Sequence, residues 1–435
     1  MTRTREVGTL WIGGQLSWVE QLCLKSFVDA GQKITLFHYD TIPNVPQGVI
    51  CRDGREVIDT DDFIKYDKKN SYALFADLFR LHMIHRNPGM IWIDTDVYCQ
   101  RPLDYQDDYV LGYELPERNR VNNAVLGLPA DSPLLQALLD FTTDRYSIAP
   151  FLPRAVRQTY AAARDAGAPV HVSQQPWGVW GPMMLSHYIR KHDLAAVVQP
   201  LAAFYPVTFR ERTMFNRLAK RAESRITPAT TGLHVWASNK RELGNNHLGL
   251  PPIGSWWAKA VEKHKIQPAL APITGRNTTA FDTALLAQIP PIGGTLTDIG
   301  GCATALVISL YMRDKCQIQL VDIAPDGRFG QQADAMVRTR SVLIGHGVAP
   351  EAIEVVTQPQ DIRPADILLN LHGFGEKARV KHLVPVLEKG RHAHSLLYTD
   401  IRKGSGGFAF FKAYGQTEII TDEADVRRVV VKSAH

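Results

Sequence analysis

A chain of 435 residues, 45% hydrophobic and 21% charged, has room for two domains, and its composition is that of an ordinary soluble globular protein. A formal net charge of +5 is mild for this length and gives no argument for a nucleic-acid partner. Five scattered cysteines without a Cys-x-x-Cys pair (Cys23, Cys51, Cys99, Cys302, Cys316) speak against a disulfide framework or a zinc site and for reduced cytosolic thiols.

The opening residues Met1-Thr-Arg-Thr-Arg-Glu lead into no apolar run of signal length. The stretch 299–312 is broken by glycines and too short to span a bilayer. A cytoplasmic protein is therefore expected, with peripheral contact at the inner face of a membrane left open. Residues 7–12 read as a short strand ending in Trp11-Ile12-Gly13-Gly14, whose paired glycines permit a sharp turn or close approach to a ligand. Ser17 caps a helix over 18–30, with Glu20 placed for a capping box, and 34–39 is a second strand. The chain thus opens β-α-β, which implies a parallel pair with a crossover helix. After a turn-rich, charged stretch over 40–70, expected to be loop and a short strand, Ser71 caps a helix over 72–86. Leu74, Leu78, Leu81 and either Met83 or His85 mark its buried side, and Asp77 and Arg80 share one face.

Asn87-Pro88-Gly89 stops that helix and leads into Ile91-Trp92-Ile93-Asp94-Thr95-Asp96-Val97-Tyr98. A buried strand ends here in two carboxylates one residue apart. Such oxygens are hard ligands that suit a divalent cation also bound to a phosphate-bearing substrate. Strands follow at 109–114 and 122–128, and helices at 133–141 and 183–190. Between those helices lies the Trp-, Gly- and Pro-rich loop 175–182. Then come a short strand with His234-Val235-Trp236 and a helix from Ser255-Trp256-Trp257 to about 264. Residues 268–280, short of charge and carrying Pro, Gly and Thr, read as a linker. A second β-α-β array begins after it, with strands at 296–301, 318–322, 365–371 and 394–400 and helices at 303–312, 330–345 and 376–388.

Trp11-Ile-Gly-Gly, Ala76-Asp77-Leu-Phe-Arg80, Ile93-Asp94-Thr-Asp96-Val, Asn122-Asn123-Ala-Val, Gly181-Pro182 and His234-Val-Trp236 together resemble the glycosyltransferases with a DXD sugar-binding region. That group includes yeast-type mannosyltransferases, α-1,4-galactosyltransferases and the glucosylating domain of large clostridial toxins. The resemblance covers about residues 7–260, with one departure: Asn87-Pro88-Gly89-Met90 stands where a Gly-Gly is usual. It implies a GT-A-like domain over residues 1–267 that binds a nucleotide-sugar donor, a UDP-sugar by family type, and Mn²⁺ or Mg²⁺. Asp96 would bind the metal directly, Asp94 would bind it or the ribose, and His234 would complete the site. Trp11 would stack on the base, with Ile12 and Gly13 beside it. Asp77 and Arg80 would grip the donor sugar and phosphate, Asn123 would hydrogen-bond sugar or acceptor, and Trp177 would close over the donor. The resemblance further implies retention of anomeric configuration. Glu114 is a nucleophile candidate by position only, and a front-face mechanism is equally open. A core histidine, a core tryptophan and a surface ion pair are the plain structural alternatives for His234, Trp11 and Asp77/Arg80.

Thr297-Asp298-Ile299-Gly300-Gly301 resembles the first glycine motif of class I SAM-dependent methyltransferases, and Leu320-Val-Asp322 the acidic strand end that grips ribose there. Ala303-Thr304 stand where a later glycine is expected, which puts S-adenosylmethionine binding in doubt. A Rossmann-like, methyltransferase-like domain over 281–435 is the expectation. The reading as a whole is a two-domain α/β protein that moves a hexose to a glycan or glycolipid acceptor in surface polysaccharide synthesis. The alternatives are a bifunctional protein whose second domain methylates sugars, or a catalytically silent glycan- or nucleotide-binding protein. Residues 209–225 carry Arg210, Arg212, Arg217, Lys220, Arg221 and Arg225 against Glu211 and Glu223. They read either as a solvated face or as a contact for anionic lipid or a lipid-diphosphate acceptor.

Overall fold

The computed structural model describes residues 5–273, 280–371 and 377–433. Residues 274–279 of the expected linker, and Glu376 at the start of one expected helix, lie outside the described residues. The chain is α/β and divides into two compact units. One comprises Met1–Asn239 and Gly254–Ile266, the other Lys240–Ile253 and Gln267–His435.

The first unit is built on a six-stranded sheet. Its strands are β1 (Val7–Trp11), β2 (Ile34–His38), β3 (Ile50–Asp53), β4 (Ile91–Ile93), β6 (Val110–Leu115) and β7 (Arg120–Gly127), in the order β3-β2-β1-β4-β7-β6. β5 (Val97–Cys99) and β8 (Gly232–His234) form a separate antiparallel pair. The strands β3, β2, β1 and β4 run parallel, and β7 and β6 complete the sheet antiparallel. The opening β-α-β is therefore present. Its crossover helix α1 (Trp18–Asp29) starts at Ser17, with the Glu20 carboxylate accepting the Ser17 amide at 2.9 Å. The chain leaves β1 toward β2 and β3, then returns to β4 on the other side of β1. Their carboxyl ends form a topological switch point, where open α/β sheets bind ligands.

Helix α2 (Ala73–Arg86) buries Leu74, Phe75, Phe79, Leu81, Met83 and Ile84. The expected apolar side was too narrow: Phe75 and Phe79 are core, Leu78 is only half-buried and His85 is exposed. A band of apolar side chains this wide fits a helix packed between the sheet and a further helix, here α3 (Pro133–Thr142). Asp77 and Arg80 are buried as well, so they are not a surface ion pair. The expected strand ending in two carboxylates is β4, and Asp94, Thr95 and Asp96 form the turn at its exit, after which a further short strand, β5, begins. Helices α4 (Arg154–Asp165) and α5 (Pro182–Lys191) complete the large elements of this unit.

The second unit holds a seven-stranded sheet in the order β11-β10-β9-β12-β13-β15-β14. The strands are β9 (Thr295–Ile299), β10 (Gln317–Val321), β11 (Ile353–Val356), β12 (Ile367–Asn370), β13 (Leu396–Arg402), β14 (Gly415–Asp422) and β15 (Val426–Ser433). The first five are parallel and the closing hairpin is antiparallel. Its switch point lies between β9 and β12. Leu250 and Ala269, on either side of the return to the first unit, belong to this unit's apolar core.

Candidate functional site

The turn after β4 is pinned from several directions. The Asp94 amide donates to the Ala124 carbonyl of β7 at 2.7 Å, and the Val97 amide donates to the Asp94 carbonyl at 3.0 Å. β5 then pairs with β8 in a register that sets Val97 opposite His234. Pairing across 138 residues places the imidazole against the second carboxylate: His234 Nε2 lies 3.2 Å from Asp96 Oδ2. Trp236, two residues on, sits in the left-handed region at φ 62°. That unusual turn folds the backbone back, so that the Ala237 amide also donates to Asp96 Oδ2.

The result is a cluster in which one ligand atom each from Asp94, Asp96 and His234 lies within 4.8 Å of the others. Two carboxylates and an imidazole at that separation fit one divalent cation, with ligand distances of about 2.0–2.2 Å and coordination positions to spare. Asp96 and His234 are buried, while Asp94 faces the opening at 30% side-chain exposure. Burial pulls the His234 pKa down, but Asp96, with Asp94 and Glu114 behind it, outweighs this and leaves the imidazole's affinity for a proton raised. The same negative field that attracts a proton attracts a metal ion. His234 Nδ1 is buried without a hydrogen-bond partner.

Beside this cluster stands a second, fully knitted group. Arg80 forms ion pairs with Asp77 Oδ1 at 3.1 Å and Asp94 Oδ1 at 3.2 Å, donates to the Asn123 carbonyl, and its guanidinium lies 4.8 Å over the Trp92 ring. Asn123 Nδ2 donates to Asp77 Oδ1 at 2.9 Å. Trp92 Nε1 donates to Asp94 Oδ1 at 2.7 Å. Burial raises the Asp77 carboxyl to about 6 against the opposing pull of Arg80 and Asn123. The Gly181 backbone packs onto that carboxylate: a Cβ there would lie 2.7 Å from Asp77 Oδ2.

Trp11, Ile12 and Gly13 are half-buried at the carboxyl end of β1, with Gly13 at φ 127° and Trp11 Nε1 donating to the Gly14 carbonyl at 3.2 Å. Trp177 is 47% exposed and not loose. Its ring stacks on Tyr66 at 4.7 Å and carries Lys69 Nζ 4.0 Å from its centroid, while the Gly178 amide donates to the Tyr66 hydroxyl. Glu114 accepts from Asn122 at 3.0 Å and from Arg120 at 3.1 Å, which leaves it tethered as a side chain. Sequence reasoning missed Tyr205, whose fully buried ring lies 5.7 Å from that of His234, because nothing in its surroundings marks it out. The Ala237 amide was also missed, since a backbone donor leaves no residue-type signal.

In the second unit the turn after β9 has Gly300 at φ 78° and Gly301 at φ 66°, a conformation that favours glycine at both places. Asp298 is fully buried. Its Oδ2 accepts the Ala303 amide at 3.3 Å and its Oδ1 has no partner. Burial, against the pull of nearby amides, raises this carboxyl to about 7. Asp322 is different. Both its oxygens accept the Gln332 amide, at 2.9 and 3.2 Å, and it is fully buried beneath a turn closed by the Ile323–Phe329 bridge. The Asp298–Gly301 turn thus retains an unused acceptor, whereas the Asp322 carboxylate is tied to the Gln332 amide and shut away from solvent in this conformation.

No protein-family model matches the chain, and no curated protein matches it. Solved structures that match include methyltransferases, which correspond to the C-terminal part. One is the T. thermophilus 16S rRNA N2 G1207 methyltransferase in complex with AdoMet and guanosine, at 15% identity over 35% of this chain and 38% of that one, with a TM-score of 0.26. The ribosomal protein L11 methylase of Lactobacillus delbrueckii subsp. bulgaricus matches at 12% identity, 35% and 77% coverage and a TM-score of 0.27. The B. subtilis m1A22 tRNA methyltransferase matches at 13%, 35% and 64%, with a TM-score of 0.26. The chain spans little more than a third of the first of these. Among the described residues, no helix is long and apolar enough to cross a membrane.

Proposed function

We propose that the first unit is a metal-dependent glycosyltransferase that moves a hexose from a nucleotide diphosphate sugar, with retention, to a glycan or glycolipid acceptor. One observation carries the reading: Asp94, Asp96 and His234 converge at the switch point of the sheet. Mn²⁺ or Mg²⁺ held there supplies Lewis-acid neutralisation of the charge that develops on the departing diphosphate. The chain's own residues do the rest. Asp96 is fixed by His234 and the Ala237 amide, so its carboxylate is oriented without reorganisation. Arg80 keeps Asp94 and Asp77 in place and brings a buried positive charge close to where a phosphate would lie. Asp77 and Asn123 offer a paired carboxylate and amide to sugar hydroxyls. Trp11, at the end of the neighbouring strand, offers a ring for a base. Trp177 and its loop shield the Asp77 side from water.

The test is turnover of a panel of UDP-sugars with Mn²⁺. Wild type is expected to release the nucleotide, and Asp96→Asn to lose about 10²-fold or more of the metal-dependent rate. Absence of turnover with every donor would overturn this reading and leave a silent binding protein.

A second reading, methylation by the C-terminal unit, is favoured by the Gly300–Gly301 turn and the unpartnered Asp298 oxygen at the β9/β12 switch point. The closed environment of Asp322 weighs against a ribose grip there. Calorimetry with S-adenosylmethionine decides it: a binding isotherm lost in Gly301→Val supports the reading, and no heat with wild type removes it.

A further inference from the structure

We propose that the surface formed by residues 209–225, with the apolar cleft that it walls, seats this protein on an anionic lipid bilayer. The segment is a 3₁₀ helix, Phe209–Asn216, followed by a short α-helix, Lys220–Glu223. Its two acids are already used: Glu211 pairs with Arg225, and Glu223 with Lys259 at 2.9 Å. Arg210, Arg217, Lys220 and Arg221 are exposed and form no ion pair among the described residues. Their positive charge has no internal counter-charge, and an anionic surface supplies one.

Charge alone describes many solvated helices. The independent observation is the apolar material in the same segment. Leu218 is 60% exposed and Phe209 46% exposed. The Leu218 backbone is held by a bridge to Ser255, so its side chain is presented from a fixed position while flanked by Arg217 and Lys220. The end of the same segment borders a cleft of about 720 Å³. Pro116, Pro200, Leu201 and Pro206 contribute its apolar lining, and Ser224 and Arg225 bring the basic segment to its rim. Unpaired bases beside an exposed leucine, an exposed aromatic and an apolar cleft match the layered chemistry of a lipid interface, with headgroup phosphates outside and acyl chains beneath. Nucleic acid fits less well. The Arg212 guanidinium already sits over the Phe209 ring at 4.3 Å, with Trp236 edge-on at 5.4 Å, which leaves the ring partly exposed but ill-suited to stack on a base, and a leucine gains nothing from a phosphate backbone.

The experiment is co-sedimentation of the full chain with vesicles of phosphatidylcholine alone or with about 30% phosphatidylglycerol, at about 0.1 M salt so that screening is moderate. Binding is expected to the anionic vesicles only. The triple variant R217Q/K220Q/R221Q is expected to weaken it about a hundredfold, roughly fivefold per base. Leu218→Ser is expected to weaken it severalfold with the charge unchanged. Should the triple variant fail to fold, Lys220→Gln and Leu218→Ser as single changes carry the test, and wild-type binding by both overturns the proposal. Equal binding to neutral vesicles, no binding to either, or binding to heparin and duplex DNA but not to vesicles also overturns it.

Discussion

Arg80 carries more of the site than any other single side chain. It touches Asp77, Asp94, the Asn123 carbonyl and the Trp92 ring at once, and it is itself buried. Taking it away leaves Asp77 as a buried carboxylate with only Asn123 for company. Arg80→Ala is therefore expected to destabilise the protein by roughly 3–5 kcal/mol at pH 7. The loss should shrink toward pH 5, because Asp77 with its carboxyl already near 6 can take up a proton and shed its charge. Urea unfolding of wild type and variant at the two pH values checks both statements. At this scale the sequence was partly legible. Asp94, Asp96, Asp77 and Arg80 stand out as polar residues set in apolar runs. That Arg80 forms buried ion pairs with Asp77 and Asp94 was not readable, because the i,i+3 spacing of Asp77 and Arg80 fits a solvent-exposed pair equally well.

Among the elements, the turn after β9 makes the sharpest statement about pH. Asp298 holds its proton up to about pH 7 in the folded chain, whereas an unfolded aspartate releases it near about 3.9. Between those values the folded state binds more protons, so its stability falls as pH rises through this window and levels off above about 7. Asp298→Asn is expected to flatten that slope and to raise the melting temperature at pH 8 relative to wild type. Melting curves from pH 4 to 8 would show it, and parallel curves for the two proteins would refute it. Strands with strong apolar runs, such as β1, β4 and β9, were legible. β3, with mostly exposed residues, was legible only as a short strand without bounds in the stretch 40–70, and the β14–β15 hairpin, whose outer strand Gly415–Asp422 mixes charged and apolar residues, was not legible. Edge strands owe their pairing to a neighbour, and a single sequence does not name the neighbour. The same holds for β8: a three-residue strand becomes part of the site only through its register with β5.

At the level of the whole molecule, only the first unit holds a three-ligand cluster among the described residues. A metal ion that binds the folded state and not the unfolded one stabilises it by RT ln(1 + [L]/Kd), about 2.7 kcal/mol at a hundredfold excess over Kd. Mn²⁺ is thus expected to raise the melting transition of the first unit and leave that of the second in place. Calorimetric scans with Mn²⁺ and with a chelator test this, and Asp96→Asn should abolish the shift. The α/β character of both halves was legible from alternating strand and helix signals. The grouping of Lys240–Ile253 with the second unit was not. Lys240–Ile253 is too short to announce its allegiance in composition, and its Leu250 is claimed by a core formed mostly from residues beyond 284.

That discontinuity bears on how the protein is made. The chain passes from the first unit to the second, back again, and over once more, at residues 239/240, 253/254 and 266/267. On the ribosome, the first unit cannot be completed until Gly254–Ile266 has emerged, and by then Lys240–Ile253 is out without the body it packs into. No single cut yields two intact halves. A fragment ending at residue 267 leaves Leu250 stranded, and one starting at 268 begins with a gap where Leu250 should sit. Separate expression should therefore give two sticky polypeptides, and mixing them should restore solubility as the missing leucine finds its place.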